Sequence, residues 1–147
     1  MNECLFKGPK LNEIMLDVLM RFRVHPIVFI ADIKQAFLRV GVREGDRDFL
    51  RFLWIKDIKS ENPIIEAYRY NTLVFGLTCS PFLLNATLKH HLNKYKSLNK
   101  NEVEQLERSL YVDDISSGAG SVEGALNLYK MAEGILKKEG LFAQISL

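Results

Sequence analysis

The sequence predicts an α/β domain in which helices pack on one face of a mixed, mostly antiparallel sheet. Three observations predict it. Stretches with apolar residues at three- and four-residue intervals alternate with short β-rich runs. Two of those runs fold back on a partner through turn-rich connections, as hairpins do. The resulting order is helix, strand, hairpin, helix, hairpin, helix, strand, with no repeat, low-complexity tract or linker to divide it. At 147 residues and 48% apolar composition the chain can bury one core and not two, so a single domain over 1–147 is expected.

Leu11, Ile14, Met15, Val18, Leu19 and Phe22 make residues 10–23 an amphipathic helix that Pro26 closes. Residues 27–31 read as a buried strand, 34–37 as a short helical turn, and 38–42 as a second extended piece before the polar segment 43–48. The runs 50–55 and 64–70 pair as a hairpin through the connection 56–63. Ser80 as N-cap and Pro81 as first helical residue open a helix through about residue 95, with Phe82, Leu84, Ala86, Leu88 and Leu92 on its apolar side. The polar connector 99–107 allows a short helix, and 110–115 forms a second hairpin. A last helix over 121–139 stops at Gly140, and 142–145 starts another strand.

Composition excludes several classes. Two cysteines, Cys4 and Cys79, lie far apart without metal-type spacing, which argues against a disulfide scaffold or a zinc site and for an intracellular setting. No secretion signal and no run of membrane-spanning length is visible, so no membrane partner is expected. His25, His90 and His91 do not form a metal set and are read as non-catalytic. A net charge of +2 demands no nucleic-acid partner. Lys34, Arg39, Arg43, Arg47, Arg51, Lys56 and Lys59, and a later group including Lys89, Lys94, Lys96 and Lys100, would suit phosphates or simply a solvated face.

The chemistry lies in Tyr111-Val112-Asp113-Asp114, two adjacent carboxylates inside an apolar run. A strand-turn-strand reading puts both on a tight hairpin tip with buried flanks, where such charge is costly unless a cation neutralises it. Asp32 ends another apolar run, Val28-Phe29-Ile30-Ala31, and would project from the end of a strand. An Asp there also serves as a helix N-cap. Taken together, three such carboxylates suit paired Mg²⁺ ions, which prefer hard oxygen ligands and can clamp both oxygens of a phosphoryl transfer.

With these motifs in order, the chain resembles the polymerase palm of reverse transcriptases, most closely those of BEL/Pao-type retrotransposons. Ala31-Asp32-Ile33-Lys34-Gln35-Ala36-Phe37 is similar to the first catalytic motif, Phe75-Gly76-Leu77-Thr78-Cys79-Ser80-Pro81-Phe82-Leu83-Leu84-Asn85 to the nucleotide-binding motif, and Tyr111-Val112-Asp113-Asp114 to the signature hairpin. The resemblance implies RNA-directed DNA polymerase activity on a template-primer and deoxynucleotides. It implies Asp32, Asp113 and Asp114 as catalytic carboxylates, with two Mg²⁺ ions, for which Mn²⁺ may substitute, held by them and by the Ile33 carbonyl. It implies nucleotide contacts at Gln35, Ala36, Phe37, Phe75 and Gly76.

Phe37 takes the place of the Asp that RNA-dependent RNA polymerases carry five residues after the first catalytic Asp, which implies a preference for deoxynucleotides; its alternative reading is a core aromatic. One departure is Val74, where relatives usually have Pro. The resemblance further implies that this palm, with part of the fingers, is incomplete, and that fingers, thumb and RNase H segments belong to the rest of a polyprotein. A catalytically inactive relic with weak nucleic-acid binding is the alternative from another class. Oligomeric state is not legible.

Overall fold

The computed structural model describes residues 2–59, 62–138 and 140–145, the last four as backbone. After a short 3₁₀ turn at Asn2–Cys4, helix α1 spans Met15–Val24 and strand β1 spans Ile27–Lys34. Two 3₁₀ segments, Ala36–Arg39 and Glu44–Leu50, lead to the hairpin β2 (Arg51–Ile55) and β3 (Ile65–Arg69). Then come α2 (Ser80–Asn93), α3 (Lys100–Ser109), β4 (Leu110–Tyr111), β5 (Asp114–Ala119), α4 (Val122–Lys137) and β6 (Phe142–Ile145).

The expected α/β architecture is present, with antiparallel pairing between every neighbouring strand described. The main sheet runs β4-β5-β1-β6, while β2 and β3 form a separate two-stranded sheet. The core joins Ala31 and Ile33 of β1, Leu110 and Ile115 of the β4–β5 hairpin, Leu84, Leu88 and Leu92 of α2, Val103 and Leu106 of α3, and Ala132, Ile135 and Leu136 of α4. Helices therefore cover one face of the sheet. A buried polar link ties α3 to β5: Gln105 Nε2 donates to the Gly118 carbonyl at 2.8 Å, and the Ser109 and Ser117 hydroxyls lie 3.0 Å apart.

β1 differs from the expected fully buried strand. It is longer, and only alternate residues are covered: Ala31 and Ile33 are buried, whereas Val28 and Ile30 are 41% and 45% exposed. An antiparallel sheet with helices on one side leaves its other face to solvent, so period-two alternation replaces continuous burial.

Other boundaries shift for local reasons. α1 begins at Met15 because Ile14 is still extended, at φ −71° and ψ 126°. Ser80 is the first residue of α2, with Cys79 at the cap, because its hydroxyl donates to the Val74 carbonyl at 2.7 Å instead of capping. The extended piece expected over 38–42 is partly 3₁₀ helix, and the rest keeps one isolated bridge, Gly41 to Thr72. The connector becomes the full helix α3. Ser121 caps α4, its Oγ accepting from the Gly124 N–H at 3.1 Å, and Gly140 at φ 72° ends the turn beyond the helix.

Candidate active site

Register brings the carboxylates together. β1 and β5 run antiparallel with Ala31 opposite Ile115 and Asp32 opposite Asp114. The Ile33 N–H donates to the Asp113 carbonyl at 2.9 Å. The adjoining Asp32–Asp114 pair is therefore of the non-hydrogen-bonded kind, in which Cα atoms approach to roughly 4.5 Å and side chains lie closest. Both belong to the open-face set, in step with Val28 and Ile30. Asp113 sits in the two-residue turn between β4 and β5.

Two expectations are corrected in detail. Asp32 lies inside β1, two residues before its end, and Asp114 is the first residue of β5, so only Asp113 occupies the tip. The turn itself is strained. Val112, its first residue, has φ 58°, a value that two-residue hairpin turns need there and normally obtain from Gly, Asn or Asp. For a β-branched residue the cost is of order 1–3 kcal/mol. Packing of the half-buried Val112 side chain against the core offsets part of it.

Among the described residues, no cation or hydrogen-bond donor is paired with the side chains of Asp32, Asp113 or Asp114. The Asp114 carboxyl is pushed above the ordinary carboxylate range, first by loss of hydration, then by the charges of Asp113 and Asp32. Its side chain is nevertheless exposed, so partial shielding by the hairpin, not enclosure, is the first cause.

Uncompensated carboxylate oxygens of this kind fit a hard divalent cation in charge and chemistry. The side chains are not drawn into a cage: among the described residues, no three His, Cys, Asp or Glu groups converge on one point.

The remaining candidates lie around the end of β1 and the loop before α2. Gln35, at φ 55° and ψ 36°, is left-handed and turns the chain from β1 into the 3₁₀ segment that holds Ala36 and Phe37. Phe37 is a core residue, 4% exposed, and its ring meets that of Phe75 at 4.5 Å between centroids. Phe75 is 69% exposed, so the ring pair runs from the core to the surface. Gly76 has φ 86°, and a Cβ there would touch nothing within 4 Å. The backbone conformation, not a close approach, requires glycine.

Arg51, which fits a triphosphate contact or a surface charge equally in sequence, pairs with Asp48 at 3.1 Å, and Arg69 joins the same carboxylate at 3.2 Å. His91 is buried, its Nε2 2.7 Å from the Ile135 carbonyl, in keeping with a structural role. Sequence reasoning missed Asn2, whose side chain is bonded to the Gly76 loop. A single polar residue that far along the chain from its partner carries no local signal.

No curated protein matches the chain. The family described as reverse transcriptase (RNA-dependent DNA polymerase) matches residues 8–145, which include both aspartate motifs and the loop between them. With that match across nearly its whole length, the chain belongs to the reverse transcriptase family.

Proposed function

We propose that this chain is the palm, with part of the fingers, of an RNA-directed DNA polymerase encoded in a BEL/Pao-type retrotransposon polyprotein. The observation that carries the proposal is the Asp32–Asp114 pairing with Asp113 in the adjoining turn, a set of carboxylates without a counter-charge among the described residues. Asp32 and Asp113 would be the direct holders of two Mg²⁺ ions, or Mn²⁺ in their place, with the Ile33 carbonyl as a further ligand and Asp114 contributing less strictly. Ions held there would supply Lewis-acid chemistry, favouring ionisation of a primer 3′-hydroxyl and offsetting charge on the phosphoryl group and the leaving pyrophosphate.

The chain's own contribution is position. Left-handed Gln35 followed by a 3₁₀ turn presents successive backbone N–H groups, an arrangement that cradles anions; we assign the Gln35 and Ala36 amides to the triphosphate. Phe75 and Gly76 flank the nucleotide. Phe37, packed behind Phe75, restricts the space for a ribose 2′-hydroxyl and favours deoxynucleotides. Template and primer are held jointly with the remaining polyprotein segments, inside the cell.

Primer extension on oligo(dT)-primed poly(rA), with Mg²⁺ or Mn²⁺, tests the reading. The expected result is extension by the unsubstituted chain, a preference for dTTP over UTP, and loss of extension in Asp113→Asn. Equal extension by both forms would refute the metal assignment, and no extension by either would make this chain an inactive fragment on its own.

A further inference from the structure

We propose that Asn2 is a positioning residue for the nucleotide site, fixing the loop that carries Phe75 and Gly76; this deepens the polymerase reading and rests on it. The Asn2 side chain makes a two-sided contact with that loop. Its Nδ2 donates to the Gly76 carbonyl at 2.8 Å, and its Oδ1 accepts from the Thr78 N–H at 3.2 Å. A backbone carbonyl and an N–H two residues apart are the groups that a neighbouring strand would engage. A carboxamide is the uncharged side-chain group that offers a donor and an acceptor side by side to match them.

The loop needs such an external partner. Gly76 is held at φ 86°, a conformation open to many alternatives in a residue without a Cβ. Phe75 beside it is mostly exposed and rests on Phe37 alone among described aromatic rings. The far side of the loop is closed by the Ser80 hydroxyl on the Val74 carbonyl, so Asn2 and Ser80 bracket Phe75 and Gly76 from both ends. The N-terminal segment is itself seated: Gly8, at φ 78°, lies so close to the Phe82 ring of α2 that a Cβ would collide with it. Asn2 is thus delivered by a segment anchored on the same helix that the loop leads into.

The consequence is a link between a residue outside the three motifs and nucleotide affinity. Losing both side-chain bonds of Asn2, with only the 3.5 Å bond from the Thr78 hydroxyl to the Asn2 carbonyl left, loosens the loop so that it samples conformations in which Phe75 leaves Phe37. The affinity for dTTP then falls about tenfold, the worth of one to two exposed hydrogen bonds. Turnover at saturating dTTP changes little, because no carboxylate moves.

The test compares the unsubstituted chain with Asn2→Ala and Asn2→Asp, the latter keeping the acceptor for Thr78 and losing the donor to Gly76. Three quantities are read: dTTP affinity and KM against kcat in primer extension, the melting temperature, and amide hydrogen exchange at Gly76 and Thr78. The expected result is a raised Kd and KM with kcat nearly unchanged, an intermediate value for Asn2→Asp, faster exchange at Thr78, and a melting temperature lowered by no more than about 6 °C, because the same bonds also support the folded chain.

Unchanged dTTP affinity and unchanged exchange in Asn2→Ala would overturn the proposal, as would an equal loss of affinity in Val103→Ala, a core variant of α3 that leaves the Asn2 bonds in place. If the unsubstituted chain binds no dTTP, the polymerase reading fails on its own account. The exchange measurement then still decides whether Asn2 holds the loop.

Discussion

Replacing Asp114 by Asn removes one of the two carboxylates that face each other across β1 and β5 while preserving size and shape. With divalent ions chelated, the substitution is expected to raise stability by about 0.2–1 kcal/mol, the penalty of like charges directly opposite on a sheet. For 147 residues this corresponds to a rise in melting temperature of roughly 1–4 °C.

The pH dependence follows with a definite sign. The Asp114 carboxyl lies above its ordinary value of 3.8 in the folded chain, so the folded state takes up its proton more readily than the unfolded state. The stability contributed by this group is fully present below pH 3.8 and is lost as pH rises through the folded value. Asp48, lowered mainly by its bond to Arg51, and Glu66, lowered mainly by its bond to Lys56, act in the opposite sense. The difference between the two proteins, not either profile alone, therefore isolates Asp114.

Thermal melting followed by circular dichroism between about pH 3 and 8 measures that difference, which should be near zero at the acid end and full at neutrality. Mn²⁺ at ten times its Kd should then raise the stability of the unsubstituted chain by about 1.4 kcal/mol and that of the variant by less. A variant that melts lower than the unsubstituted chain in chelator, or a difference that grows toward acid pH, would refute the account of the site as a set of repelling carboxylates.

Phe37→Val replaces the ring of a residue that is 4% exposed by two methyl groups and should cost about 2–4 kcal/mol of stability, read in urea unfolding. In the fraction that remains folded, UTP incorporation should rise relative to dTTP; an unchanged ratio would remove Phe37 from sugar selection. Val112→Gly should be near neutral, within about 1 kcal/mol, because relief of the left-handed strain offsets lost packing and added chain entropy. The same truncation at Val103, fully buried in α3, should cost more than about 3 kcal/mol in the same unfolding assay, and equal losses at the two sites would show that the turn is not strained.

Where a local rule controls an element, the sequence already carries the answer. Ser121 and Gly140 bound α4 because a cap and a left-handed stop are properties of single residues. The β2–β3 hairpin and the Asp113–Asp114 hairpin follow from β-rich runs around turn residues. The misreadings have non-local causes. Ser80 is spelled as an N-cap, but its hydroxyl finds a carbonyl six residues back.

Val28 and Ile30 read as buried because composition cannot say that helices cover only one side of the sheet. Phe37 was legible both as a nucleotide contact and as a core aromatic, and its burial under Phe75 makes it a core residue at the edge of the candidate site. The three aspartates were legible as a set, yet their pairing depends on a register between β1 and β5 that spans more than eighty residues of chain.

That register is where folding and the candidate chemistry meet. In β1, Ala31 and Ile33 face the helices, and Asp32 between them belongs to the open face. A slip of one residue would turn Asp32 into the core and Ala31 and Ile33 toward solvent, exchanging two buried apolar side chains for an unpaired buried charge. The slipped sheet is excluded by several kcal/mol for reasons of packing alone. On β5 the same logic holds through Ile115 and Ser117, which are buried while Asp114 is exposed. The repulsion between Asp32 and Asp114 is weak by comparison, about 1 kcal/mol or less, so the core can hold the two carboxylates opposite each other. A sheet that closed this gap with an apolar pair would be more stable, and it would offer a cation nothing to bind.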